Sequence, residues 1–124
     1  MPTRRFRDPV GDMMLELLST GSQIAVSPSI HPSGEPYQWW EDGPAAEVSA
    51  TDLFVAVTEL AVATLLLRNS PHNEWLKALQ DARFEDGRMT RILSALDAHS
   101  QHAPASLRLS AADLSEALSL LIAP

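Results

Sequence analysis

The chain has 124 residues, no cysteine, and 16 acidic against 9 basic residues, which gives a formal net charge of -7. This length suits one domain. The lack of cysteine excludes a disulfide scaffold, a thiol nucleophile and a thiolate zinc site. The negative charge argues against a stand-alone nucleic-acid-binding protein. Since no apolar stretch of the secretory type is found near the start, we expect a soluble, cytoplasmic protein that does not associate with a membrane.

The charges are unevenly distributed along the chain. Residues 1–12 carry a net charge of +1, whereas residues 13–50 contain five acids and no base. We expect residues 1–12 to form an exposed N-terminal arm ahead of a single domain, residues 13–124. Within that domain, residues 13–48 would form a β/loop part, and residues 49–124 a helical part.

Residues 13–40 are predicted to form short extended segments separated by turns. Residues 23–26 place β-branched side chains at alternate positions, which predicts a short buried strand, and residues 37–39 alternate again. Prolines at every fourth position from Pro28 to Pro36 favour an ordered loop between them. The expected fold is therefore α+β: a small N-terminal β element of two or three short strands, followed by about four helices.

The first of these helices covers the apolar run of residues 53–67. Ser49 offers an N-cap oxygen ahead of it. The run is shorter than the about 20 apolar residues that a bilayer requires, so we expect a helix buried in this domain or in a partner. Glu59 near its middle is either a buried functional acid or, more commonly for such a position, a residue at the helix edge or an interface.

Three further helices are predicted from capping and periodicity. Ser70 is expected to cap the second helix. Gly87 would separate it from a third helix, in which apolar residues recur at helical spacing over residues 88–99. Residues 110–122 form the fourth, and residues 99–106 have the composition of a flexible linker.

The candidate functional site is the loop of residues 27–39. Hydroxyl groups and the backbone beside Gly34 are able to bind a phosphate or a ribose edge, and His31 is able to donate to a phosphate oxygen or move a proton. On residue types alone, a surface loop in which Tyr37 and Trp39 pack inward is the commoner arrangement.

Three consecutive stretches carry a resemblance to a known family: residues 15–18 (Leu-Glu-Leu-Leu), residues 21–26 (Gly-x-Gln-x-Ala-Val) and residues 27–39 (Ser-Pro-Ser-Ile-His-Pro-Ser-Gly-Glu-Pro-Tyr-Gln-Trp). They resemble the bifunctional DNA primase/polymerase domain of phages, plasmids and integrated elements, in the archaeo-eukaryotic primase superfamily. The resemblance covers residues 13–84, and residues 13–40 carry nearly all of its specificity.

The resemblance implies nucleotidyl transfer, in which carboxylates hold divalent magnesium ions. Glu16 matches a metal-binding, catalytic acid of the family, and His31 a catalytic position. The family's upstream acid pair and Ser-x-His motif have no counterpart, so we expect no polymerase activity from this chain alone. The nucleotide-binding positions implied by the resemblance are Ser27, which replaces the usual first proline, with Ser29, Ser33, Gly34 and Tyr37.

We therefore expect a primase/polymerase-derived protein of a mobile element, acting in or beside DNA replication on a nucleotide or primer-template. Magnesium would be its cofactor only if the primase-like site is functional. The alternative is a small acidic interaction protein of phage type that binds and modulates a host or replication protein. Its docking face would be the helix between Leu53 and Leu67, which also allows a homo-oligomer.

Overall fold

The computed structural model describes residues 1–100 and 109–122. Most of the linker predicted at residues 99–106 lies outside the described residues. The strands and helices of the described chain form an α+β arrangement, which confirms the expected fold class. In chain order they are β1 (Arg4–Arg7), β2 (Met13–Leu17), α1 (Ala50–Asn69), a 3-10 turn (His72–Glu74), α2 (Trp75–Asp81), α3 (Asp86–His99) and α4 (Ala111–Ile122).

The two strands pair antiparallel as a hairpin. Side chains alternate between the two faces of a strand, and Phe6 and Leu17 are buried on the face toward the helices. On the other face Arg5 lies opposite Glu16, and its Nε donates to Oε1 of that carboxylate at 2.7 Å. The hairpin therefore forms because it buries an apolar face and pairs opposite charges on the exposed one.

The strands are not where alternation predicted them. Residues 1–12, expected to be an arm, contain β1, while residues 23–26 and 37–39 lie outside both strands. Residues 23–26 do alternate, but all four are exposed, and Ile24 is 73% exposed. A strand requires a pairing partner and a face to bury, and the hairpin supplies both for Phe6 instead.

Helix α1 begins at the predicted cap, where the Ser49 side chain accepts from the backbone N–H of Asp52 at 3.0 Å. It is 20 residues long, so the length argument made from residues 53–67 does not exclude a membrane span. Within the described chain, α1 is long and apolar enough to cross a membrane by length and composition, a test that buried core helices also pass. Eight of its residues are buried against other parts of the chain: Thr58, Glu59, Ala61, Val62, Ala63, Leu65, Leu66 and Asn69.

The core lies where α1 packs against α3 and α4. Leucine dominates this core, and apolar burial of this kind supplies most of the stability of a small helical domain. The largest fully buried side chains are Val62, Leu65 and Leu66 of α1, Leu79 of α2, Ile92 and Leu96 of α3, and Leu118 of α4.

Two predicted helix boundaries are corrected by the structure. Ser70 ends α1, because its backbone N–H donates to the Leu66 carbonyl at 2.9 Å, and the turn that follows has Pro71 at its N-cap. Gly87 lies inside the first turn of α3. The break before α3 is made by Arg83, whose φ of 62° places it in the left-handed region where a helix C-terminus usually has glycine.

An ion pair fixes the hairpin to α1. Asp8, which is buried, accepts at one oxygen from the backbone N–H groups of Val10 and Asp12, at 3.1 and 2.9 Å. Its other oxygen lies 3.4 Å from Nη1 of Arg68, at the end of α1. The turn of the hairpin and the last turn of α1 are thereby held together, which places β2 and Glu16 relative to the core.

Candidate functional site

The proline-rich loop closes on itself through backbone hydrogen bonds. The N–H of Tyr37 donates to the carbonyl of Ser29 at 2.9 Å, and the N–H of His31 donates to the carbonyl of Glu35 at 2.8 Å. Between them the N–H of Gly34 donates to the His31 carbonyl at 2.8 Å. Gly34 has a φ of 94°, a conformation that side-chain-bearing residues rarely adopt. The loop is thus an ordered turn, as the prolines predicted.

The turn sets the tautomer of His31. Its Nδ1 accepts from the backbone N–H of Ser33 at 3.0 Å and lies 2.8 Å from the Ser33 hydroxyl. Since Nδ1 accepts a backbone N–H, the neutral ring carries its proton on Nε2. The ring also packs against Tyr37, with centroids 5.9 Å apart and planes at 65°. His31 is exposed, so its Nε2–H is free to reach an acceptor in solution.

The predicted nucleotide-binding residues all lie in the loop of residues 27–39. Ser29, Ser33 and Gly34 are exposed, and Ser27 and Tyr37 are half-buried. The half-buried ring of Tyr37 contacts His31 of the same turn, and Trp39, also expected to pack inward in the commoner arrangement, is 57% exposed. The following Trp40 is fully exposed, with its whole indole face available.

Glu16 lies on β2, away from this hydrogen-bonded turn. Its carboxylate accepts from Arg5 on the facing strand, and its side chain is 37% exposed. Magnesium binds through several oxygen ligands in octahedral geometry, and a magnesium ion at Glu16 would share the carboxylate with Arg5. Across the described residues there is no group of three or more His, Cys, Asp or Glu side chains that could hold a metal.

Glu59 is the buried acid that the sequence left open, and its role is structural. Arg91 of α3 donates to it through Nη2 at 2.6 Å and Nε at 2.9 Å, and Arg88 donates through Nε at 3.2 Å. The hydrogen bonds from Arg91 are the largest cause that lowers the pKa of Glu59 below its ordinary 4.5, against the opposing effect of burial. The arginines at helical spacing on α3 were the missed signal, because an acid in an apolar helix requires a counter-charge.

Sequence reasoning also missed a cleft of about 700 Å³ between β1 and α4. One wall is the run of consecutive residues from Arg4 to Val10, and the other is a face of α4 that combines Asp113 and Glu116 with Leu120 and Leu121. Phe54 and Leu65 of α1 lie at its base. The sequence signal for this wall was a single aromatic residue, Phe6, flanked by Arg5 and Arg7.

The fold and the loop together define a small α+β protein whose candidate site is an exposed, hydrogen-bonded turn rather than a closed pocket. No protein-family model, curated protein or solved structure matches the chain. Its function is therefore argued from its own residues.

Proposed function

We propose that this chain is a primase/polymerase-derived module of a mobile element that binds a nucleotide or primer-template in or beside DNA replication, without catalysing nucleotidyl transfer alone. The observation that carries the proposal is the turn around His31, an exposed residue whose Nδ1 is occupied by Ser33, beside the exposed Ser29 and the exposed backbone of Gly34. The resemblance of residues 13–40 to the primase/polymerase domain supports the same ligand.

Each group in the turn has a distinct task in this proposal. His31 donates from Nε2 to a phosphate oxygen, and Ser29 and Ser33 supply hydroxyls to phosphate or ribose. The backbone of Gly34 is open to a ligand, because no atom lies within 4 Å of the position that a Cβ would take. Glycine has no Cβ, so a ligand is able to approach this backbone closely. Trp40 offers an indole face on which a base is able to stack.

Binding rather than catalysis is assigned to the chain because of Glu16. The ion pair with Arg5 neutralises the one carboxylate that the resemblance places in the reaction. A catalytic role for Glu16 would require further carboxylates, which we expect to come from another chain.

The proposal is tested by titrating the protein with a deoxynucleoside triphosphate at low salt and following backbone amide signals by NMR. We expect shifts at Ser33 and Gly34, and about tenfold weaker binding for His31→Ala, the effect of losing one hydrogen bond to a charged group. His99→Ala removes another exposed histidine, on α3, and should bind like the parent. Absence of shifts in the loop at millimolar nucleotide would rule the proposal out.

A second candidate function, a small acidic interaction protein, is favoured by exposed apolar side chains. Eight of the 20 residues of α1 are buried, and its outer face around Leu60, 47% exposed, is the part of the helix open to a host or replication protein or to a second copy. Sedimentation of Leu60→Asp against Leu76→Asp, a leucine of similar exposure on α2, tests self-association through this face. Between residues 20 and 60 the exposed large apolar residues are Ile24, Val26, Ile30, Trp39, Trp40, Val48 and Leu60.

A further inference from the structure

The chain contains the tripeptide Glu-Asp-Gly twice, at residues 41–43 and at residues 85–87. An aspartate followed by glycine is open to an internal reaction, because glycine has no side chain to shield its main-chain nitrogen from the neighbouring carboxyl group. Every residue of both copies is exposed, so exposure alone does not distinguish them. The two copies differ in the backbone to which they belong.

The first copy lies in the loop ahead of α1, outside every strand and helix of the described chain. Among the described residues, neither the Asp42 carboxylate nor the N–H of Gly43 has a hydrogen-bond or ion-pair partner. Pro44 follows, and the helical region is disfavoured for a residue before proline. Asp42 is therefore free to rotate until its Cγ meets the nitrogen of Gly43.

The second copy is held in the first turn of α3, which begins at Asp86. The Thr90 hydroxyl donates to the Asp86 carbonyl at 3.0 Å, and Arg88 donates to the buried Glu59 of α1 at 3.2 Å. A five-membered ring closed through the Gly87 nitrogen requires a ψ at Asp86 far from the helical value of about -42°. The turn would therefore have to open before the reaction could occur.

We propose that Asp42 is a site of spontaneous isomerisation to isoaspartate, whereas Asp86 is protected by its helix. The main-chain nitrogen of Gly43 attacks Cγ of the protonated Asp42 carboxyl and forms an N–Cγ bond. The nitrogen loses its proton and the carboxyl loses its hydroxyl, so one water leaves and a cyclic imide remains. Water then adds to either imide carbonyl. Cleavage of the N–Cγ bond restores aspartate, whereas cleavage of the original peptide bond leaves isoaspartate, with Gly43 attached through Cγ.

The modification changes the loop and leaves the core alone. Isoaspartate keeps one carboxylate, but it adds Cβ to the main chain between Trp40 and the helix cap at Ser49. These residues are exposed, so the stability of the fold should be nearly unchanged. The reaction requires only solvent water and does not depend on the proposed nucleotide binding.

The test compares the two tripeptides within the same molecule. The full chain is incubated at neutral pH below its unfolding temperature and digested, and the peptides are separated against synthetic standards that contain aspartate or isoaspartate. We expect isoaspartate to accumulate about tenfold faster at residue 42 than at residue 86, a barrier difference of about 1.4 kcal/mol. In urea that unfolds the chain the two rates should be similar, because the tripeptides are identical.

A variant tests the role of the Gly43 nitrogen directly. Gly43→Ala should slow isomerisation at Asp42 about tenfold and leave Asp86 unchanged, because the added methyl group hinders the attacking nitrogen. The fold should tolerate this change, since Gly43 has no positive φ and an added Cβ would meet nothing within 4 Å. Equal rates at the two aspartates of the folded chain, a difference that persists in urea, or a parent-like rate in Gly43→Ala would overturn the proposal.

Discussion

The carboxylate of Glu59 on α1 receives a forked pair of hydrogen bonds from the guanidinium of Arg91 on α3, at 2.6 and 2.9 Å. Glu59 is 8% exposed. Paired geometry of this kind is the strong form of a carboxylate–arginine contact. It joins the longest helix to the helix that packs most extensively on it, and it lowers the pKa of Glu59 while it raises that of Arg91.

Glu59→Gln should destabilise the fold. The amide keeps the shape of the side chain but loses the charge that Arg91 and Arg88 face, so we expect a loss of about 1.5–3 kcal/mol in the free energy of unfolding, the range for hydrogen bonds to charged groups. Denaturant unfolding at neutral pH measures it. Glu41→Gln changes an exposed acid of the loop, and an equal loss in both variants would contradict the structural role of Glu59.

The same ion pair predicts a pH dependence of stability. The pKa of Glu59 is lowered in the folded state from its ordinary 4.5, mainly by the Arg91 hydrogen bonds. Its contribution to stability is therefore present above pH 4.5 and lost as the pH falls through the lowered folded-state pKa. Unfolding of the parent and of Glu59→Gln, measured from neutral to acid pH, should converge below pH 4.5. A constant difference between the two curves would show that Glu59 does not titrate in this way.

Leu66→Ala should be the costlier of two leucine truncations. Leu66 is fully buried in the core, so removing its side chain should lower the free energy of unfolding by about 2–5 kcal/mol. Leu76→Ala, on an exposed side chain of α2, should cost much less. Urea unfolding of the two variants gives the comparison, and similar losses would mean that the core is not centred on α1.

Two serine-to-alanine changes test where the helix caps lie. Ser49→Ala removes the hydroxyl that accepts from Asp52 N–H and should destabilise by about 0.5–2 kcal/mol. Ser70→Ala should cost less than Ser49→Ala, because Ser70 acts through its backbone: its N–H binds Leu66 and its carbonyl accepts from the Trp75 indole at 3.0 Å. Thermal unfolding compares the stabilities of the two variants. A larger loss of stability for Ser70→Ala would contradict the structure and support the N-cap role that the sequence predicts for Ser70.

Helical periodicity was sufficient to predict the helices, whereas alternation was insufficient to locate the strands. The helices follow from contacts within each segment, such as the Ser49 cap and the spacing of Ile92 and Leu96 in α3. A strand depends on a partner elsewhere in the chain. The sequence predicts a charged arm at Arg4–Arg7, because the pairing with β2 and the burial of Phe6 are long-range contacts.

The candidate site was predictable in its local shape but not in its electrostatic setting. The prolines and Gly34 indicated an ordered turn, and the turn bonds are present. The pairing of Glu16 with Arg5 depends on the hairpin register, which residue types alone do not give. Residue types alone also did not show which groups pair with Glu59. Its partners, Arg88 and Arg91 of α3, lie 29 and 32 positions further along the chain.

The long exposed stretch between the hairpin and α1 has an evolutionary consequence. Residues 20–49 are exposed except at Ser27 and Tyr37, so few of their side chains contribute to the core. Surface substitutions away from buried contacts usually change stability by only about 0.5 kcal/mol or less. Mutation is thus free to change the side chains of this stretch while the helices stay folded, so the surface of the stretch and the stability of the fold can evolve under separate selection.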